Sequence, residues 1–162
     1  MFIELDGWHA KLRFSACHLI PDHPKCGRLH GHTYAVSVRI EGSQAGQFII
    51  DFEDVKRIVM GVCDRLDHRI LMAMDDPRLK ITEDDGYYTV ELIKSCKHYV
   101  LPADDVKLLP IPSVSAEDLC KYFLSEISMA IRNNGFADNI TILHVRLDEG
   151  IGQGAGCNIS LA

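Results

Sequence analysis

The sequence predicts an α+β fold in the order strand, strand, helix, inserted hairpin region, helix, strand, strand. Three observations carry that prediction. Residues 8–20, 29–40 and 140–148 alternate across two faces at the period of a strand. Two later stretches repeat apolar residues at three-and-four spacing, the period of an amphipathic helix. Each of those stretches opens on a side chain suited to cap a helix, Asp51 in one and Ser115 in the other.

In residues 8–20, Leu12, Phe14, Ala16 and His18 share one face. In residues 29–40, His30, His32, Tyr34, Val36, Val38 and Ile40 share another. The loop 21–28 joins the two runs, and an antiparallel hairpin is the simplest connection. That hairpin would bring His18 to the point reached by His30 and His32. Asp51 then caps a helix through Val55, Ile58, Val59, Val62, Cys63 and Leu66, ending near Asp67-His68.

Residues 73–111 are an insertion, in which Lys80-Ile81-Thr82-Glu83 and Tyr87-Tyr88-Thr89-Val90 predict a hairpin about an Asp-Gly turn. Pro102, Pro110 and Pro112 punctuate the remainder of the insertion and its exit. The second helix starts after Ser115, with Asp118 standing in for the Glu of a capping box. It packs through Leu119, Phe123, Ile127 and Ile131, and Asn134-Gly135 stops it with a left-handed cap. Ile140 to Asp148 is a strand, and Cys157 to Leu161 closes the fold.

At 162 residues the chain fits a single domain, 1–162. A domain of that size buries roughly 70% of its unfolded surface. With 47% hydrophobic and 25% charged residues the composition is globular, and no apolar run approaches a membrane span. Neither an export signal nor a C-x-x-C pair is visible, so a cytoplasmic location and free thiols are expected for the six cysteines. In that compartment the sequons at Asn139 and Asn158 carry no consequence. A net charge of −6 without clustered Lys and Arg argues against a nucleic-acid partner.

The chemistry concentrates in His18…Cys26-Gly-Arg-Leu-His30-Gly-His32. Two histidines on one strand face can be core residues. A third on the matching face of the neighbouring strand favours a metal, and three imidazoles hold Zn²⁺ with a coordination position left open. Fe²⁺ or Ni²⁺ suits the same donors. Cys26 lies in a loop beside Lys25 and Arg28, which favour thiolate, so it reads either as a reactive thiol or as a fourth ligand.

Asp67-His68 is a candidate acid/base pair, the alternative being a helix end whose dipole favours a cationic imidazole. Glu149 is either a surface acid or a carboxylate able to accept two parallel N–H bonds from an amino-pyrimidine edge. The run Gly150 to Gly156 reads as a flexible turn, since no helix can follow it. His9, His23, His98 and His144 show no partner pattern.

Taken together these motifs resemble the 6-pyruvoyltetrahydropterin synthase and 6-carboxytetrahydropterin synthase family. The matching segments are Phe14-Ser15-Ala16-Cys17-His18, Cys26-Gly27-Arg28-Leu29-His30-Gly31-His32, Ile50-Asp51-Phe52 with Val55-Lys56, Leu66-Asp67-His68-Arg69, Ser115-Ala116-Glu117 and Val145-Arg146-Leu147-Asp148-Glu149. The Cys-x3-His-Gly-His spacing resembles the carboxy-forming branch, which feeds deazaguanines such as queuosine.

The resemblance implies a tunnelling fold: a four-stranded antiparallel sheet with two helices on one face, subunits joining into a trimer and two trimers into a hexamer, with active sites between subunits. It further implies that His18, His30 and His32 hold zinc, that Cys26 is the catalytic thiol with Asp67 and His68 as acid/base partners, and that Glu149 anchors the pterin. The implied substrate is 7,8-dihydroneopterin triphosphate. Three features depart from the family: the long insertion, Asp118 where Asn is common and Gly150 where Thr is common. The two substitutions bear on substrate specificity.

Overall fold

The computed structural model describes residues 1–161; Ala162, the last residue of the expected domain, lies outside them. The strands are β1 (Phe2–Leu5), β2 (Arg13–His18), β3 (His30–Gly42), β4 (Arg69–Ala73), β5 (Leu79–Asp84), β6 (Tyr87–Leu92), β7 (Lys97–Pro102), β8 (Val106–Leu109), β9 (Ile140–Asp148) and β10 (Gly154–Ser160). The helices are α1 (Phe52–Leu66) and α2 (Ala116–Asn133). One sheet runs β10-β9-β3-β2-β4-β8, with β1 beside β3 as its seventh strand, and β5-β6-β7 form a separate three-stranded sheet.

The expected β2–β3 hairpin is present, with Phe14 opposite Tyr34 and His18 opposite His30. The four antiparallel strands β10, β9, β3 and β2 exist, but they are part of a seven-stranded mixed sheet, which corrects the four-stranded expectation. Two features account for the extra strands. β3 has thirteen residues against six in β2, so its far half is left free to pair with β1, Leu5 opposite Val38. Leaving α1, the chain turns at His68 in the left-handed region and runs parallel to β2, after which β8 pairs parallel to β4.

Two strand boundaries also differ from the expected ones. Residues 8–11 turn rather than extend, with Ala10 N–H bonded to Asp6 O and Leu12 N–H to Gly7 O. The apolar alternation there continued through a turn that backbone hydrogen bonds define. At the other end, β10 begins at Gly154, so the glycine run is only half turn. A Cβ on Gly154 would lie 2.2 Å from Leu147 O, so the close approach of β9 and β10 demands glycine there.

Asp51 caps α1 by accepting from Glu53 N at 2.8 Å, and Ser115 caps α2 by accepting from Asp118 N at 3.3 Å. The Asp118 carboxylate does not complete a capping box. One methylene shorter than Glu, it accepts from Ser113 Oγ at 2.7 Å instead. α2 ends as expected at Gly135, whose φ of 73° lets Gly135 N–H bond Arg132 O and Phe136 N–H bond Ile131 O.

Both helices cover one face of the sheet and share one core with it. Within that core Phe14 stacks on Tyr34 at 4.8 Å and on Phe123 at 5.4 Å between ring centroids. The aromatic stack runs directly up to the histidines, Tyr34 lying 5.7 Å from His32. In the insertion the predicted Asp85-Gly86 hairpin is β5–β6, and β7 adds a third strand. Val90 and Leu92 bury against Leu19, Met72 and Val106, so the insertion is anchored to the main sheet by a second apolar cluster.

Candidate active site

His18 closes β2 and His30 opens β3, so strand pairing alone sets them opposite each other. His32 follows two residues on, on the same face. The ligand nitrogens of the three imidazoles all lie within 4.8 Å of one another. His18 is 2% exposed, and its Nδ1 lies 2.7 Å from Val114 O, while His30 Nδ1 lies 2.7 Å from Arg28 O. A carbonyl oxygen only accepts, so both Nδ1 atoms carry the proton and both Nε2 atoms present lone pairs.

Among the described residues, His18 Nε2 and His32 Nε2 are buried without a hydrogen-bond partner. Burial pushes the His18 imidazole down to about 4, with His30 and His32 adding to the effect, so it is neutral near pH 7. Glu149 Oε1 stands 3.3 Å from His18 Nε2 and 3.8 Å from His32 Nε2. At His18 a lone pair thus faces a carboxylate oxygen, an arrangement that a divalent cation would relieve. The donor set fits zinc: nitrogen ligands with second-sphere carbonyls fixing the tautomer.

Tyr34 O–H donates to Glu149 Oε1 at 3.4 Å. Burial, then the nearby carboxylate, raises the Tyr34 phenol well above its ordinary range, so it remains a donor. Next to the histidines is a cavity of about 350 Å³ walled by His18, Cys26, Ser115, Glu117, Glu149 and Gln153. Cys26 is therefore part of the cleft wall, while the metal-capable cluster consists of the three histidines. Its backbone N–H donates to His23 Nδ1 at 2.9 Å, which gives His23 a partner that the sequence did not reveal.

Asp67 and His68 form the predicted pair, His68 Nδ1 donating to Asp67 Oδ2 at 2.7 Å. Asp67 Oδ1 accepts from Ser15 N at 2.7 Å, and that bond holds its carboxyl below the usual range. His68, with φ of 56°, returns its own N–H to Ser15 O. The pair is nevertheless not beside Cys26. His68 borders a different cavity of about 480 Å³ with Ser15, Cys17, His32 and Thr33, and the two cavities have no lining residue in common.

Sequence reading missed several members of the site. Tyr34 was legible, since strand parity places it on the face of His32. Ser115 and Glu117 also carried a signal, because they occupy the cap and first turn of α2. Gln153 carried none, being held by a turn in which its side-chain N–H donates to Glu149 O. His9 and His144 also have carboxylate partners, Asp6 and Glu41.

A mixed sheet that brings three imidazoles and a carboxylate together, with a thiol in the wall of the adjoining cleft, defines an α+β protein with a group able to hold a metal ion. The chain belongs to the 6-pyruvoyl tetrahydropterin synthase family, whose pattern matches residues 9–159. A Methanocaldococcus jannaschii protein provisionally named 6-carboxy-5,6,7,8-tetrahydropterin synthase is 43% identical over 159 residues, covering 96% of this chain and 94% of the relative. The 6-carboxy-5,6,7,8-tetrahydropterin synthase of Bacillus subtilis is 32% identical over 80 residues, 47% of this chain and 50% of that one. Among solved structures, a catalytic-residue mutant of Plasmodium vivax 6-pyruvoyltetrahydropterin synthase superposes with a TM-score of 0.91 at 25% identity, covering 99% of this chain and 98% of that chain.

Proposed function

We propose that this chain is a zinc-dependent lyase of the 6-carboxytetrahydropterin synthase type, converting 7,8-dihydroneopterin triphosphate and water to 6-carboxytetrahydropterin, acetaldehyde and triphosphate in the cytoplasm, on the way to a deazaguanine such as queuosine. The observation that carries the reading is the cluster of three histidines, two of them with a buried, unpartnered Nε2, beside a cleft walled by His18, Cys26 and Glu149. When bound, zinc supplies Lewis-acid polarisation of the substrate's side-chain oxygens, lowering the cost of deprotonating the carbon beside them.

His18, His30 and His32 hold the metal. Cys26, as thiolate, takes a proton from the substrate side chain. Asp67 fixes the His68 ring through Nδ1, leaving Nε2 to move the second proton. Glu149 accepts N–H bonds from the amino-pyrimidine edge, steadied by Tyr34 O–H. That Asp67-His68 borders a cavity separate from the one at Cys26 supports a role for the pair in the site of a neighbouring copy in a trimer or hexamer, with the chemistry between subunits.

The test is incubation of the zinc-loaded protein with 7,8-dihydroneopterin triphosphate, with products identified by mass. Carboxypterin and acetaldehyde are the expected products, and absence of both overturns the reading. A pyruvoyl product would assign the chain to the other branch. Aldol cleavage has its own support, since a Pyrococcus furiosus relative, 39% identical over 67 residues that make up 41% of this chain and 56% of that protein, is named dihydroneopterin monophosphate aldolase. Release of a glycolaldehyde that still carries the substrate's phosphates, leaving a hydroxymethyl pterin, would mark that chemistry. A non-catalytic zinc-stabilised pterin-binding module would give no product at all.

A further inference from the structure

Outside the histidine cleft, the fold brings two more reactive side chains together. Cys120 on α2 and Cys157 on β10 have their Sγ atoms 3.1 Å apart, across 37 residues of sequence. All six cysteines are free thiols. A disulfide bond is about 2.05 Å long, so the two sulfurs need close by only roughly 1 Å. Cys120 is buried in the core, whereas Cys157 is partly exposed.

We propose that Cys120 and Cys157 are a peroxide-responsive pair that forms a reversible disulfide, tying α2 to β10 behind the candidate active-site cleft. Both elements wall that cleft. α2 contributes Ala116 and Glu117 one turn before Cys120, and β10 contributes Gly154 three residues before Cys157. A covalent tie at this level fixes the separation of the two walls beside Glu149. The proposal needs neither metal nor substrate and stands apart from the proposed reaction.

The chemistry balances with one hydrogen peroxide. Cys157, the accessible sulfur, attacks a peroxide oxygen; an S–O bond forms, the O–O bond breaks, and the departing hydroxide is protonated to water. The Cys120 sulfur then attacks Cys157, forming S–S and breaking S–O, with a second water released. Two thiol protons and two electrons thus pass to one peroxide. Burial, and then the Cys157 contact, push the Cys120 thiol up to about 12, consistent with Cys157 reacting first and Cys120 resolving. A dithiol reductant reverses the bond by exchange.

The test treats the reduced full-length protein with hydrogen peroxide, blocks free thiols, digests without reductant and maps the peptides by mass spectrometry. A peptide joining Cys120 to Cys157, lighter by two hydrogens and reversed by dithiothreitol, is expected, with slower amide hydrogen exchange across 116–120 and 150–157. Cys157→Ser should abolish that peptide, and Cys26→Ser should leave it intact. Sulfinic acid on Cys157 without a cross-link, or cross-links confined to Cys17, Cys26 or Cys96, overturns the proposal. Formation of the bond without slowed exchange overturns its role in fixing the cleft walls. Because wild-type mapping is decisive on its own, a Cys157→Ser chain that folds poorly leaves the test intact.

Discussion

His18 and His30 face each other across the β2–β3 register with ring centroids 4.6 Å apart, yet their Nδ1 atoms are held by carbonyls from two different loops, Val114 and Arg28. Strand pairing sets where the rings stand, and the loops set which nitrogen faces inward. His30→Ala should remove one ligand while leaving the hairpin paired, because His30 is only partly buried at the strand end. Zinc per chain, measured by elemental analysis after dialysis, should fall from about one to near zero. Full retention of zinc would remove His30 from the ligand set.

Cys26→Ala separates three roles for one thiol. As a proton-transfer group, its loss should lower turnover about 10²- to 10⁴-fold with zinc retained. The measurement is product formation alongside metal content on the same preparation. Zinc lost together with activity would make Cys26 a fourth ligand, and unchanged turnover would remove it from the chemistry.

The histidine cluster was legible because it depends on short-range rules. Period-two alternation put His30 and His32 on one face, and an eight-residue loop left His18 a hairpin's reach away. Helix caps at Asp51 and Ser115 were legible for the same reason. The parallel strands β4 and β8 were not, since their pairing depends on how the chain leaves α1 at His68 rather than on any local pattern. The family resemblance supplied four antiparallel strands and left the insertion outside the sheet, whereas β4 begins just after Asp67-His68 and β8 returns at Val106. The separation of His68 from Cys26 has its origin in that same turn: His68 enters the outer side of β2, beside Ser15 and Thr33.

Tyr34→Phe tests the support given to Glu149. Phe fits the stack between Phe14 and Glu149, so the fold should persist while the 3.4 Å bond to Oε1 is lost. A hydrogen bond to a carboxylate contributes about 1.5–3 kcal/mol at best, and this long one should fall at the low end, near a tenfold effect. That effect should appear chiefly in KM if Glu149 positions the pterin. An effect confined to thermal stability would instead make Tyr34 a packing residue.

Asp67 ties the end of α1 to β2 through Ser15, so its removal should be visible in stability and in its pH dependence. The carboxylate is partly exposed, and losing its backbone bond in Asp67→Ala should cost about 1 kcal/mol near neutrality. Since the folded-state pKa lies below the unfolded value of 3.8, the native chain binds fewer protons than the unfolded one between them. The Asp67 contribution is therefore complete above the unfolded pKa and disappears as pH falls through the folded one. Urea midpoints for the wild type and Asp67→Ala should differ at pH 7 and converge on acidification below that window. Curves that remain equally far apart at acidic pH would show that the carboxylate's charge is not what holds β2 to the end of α1.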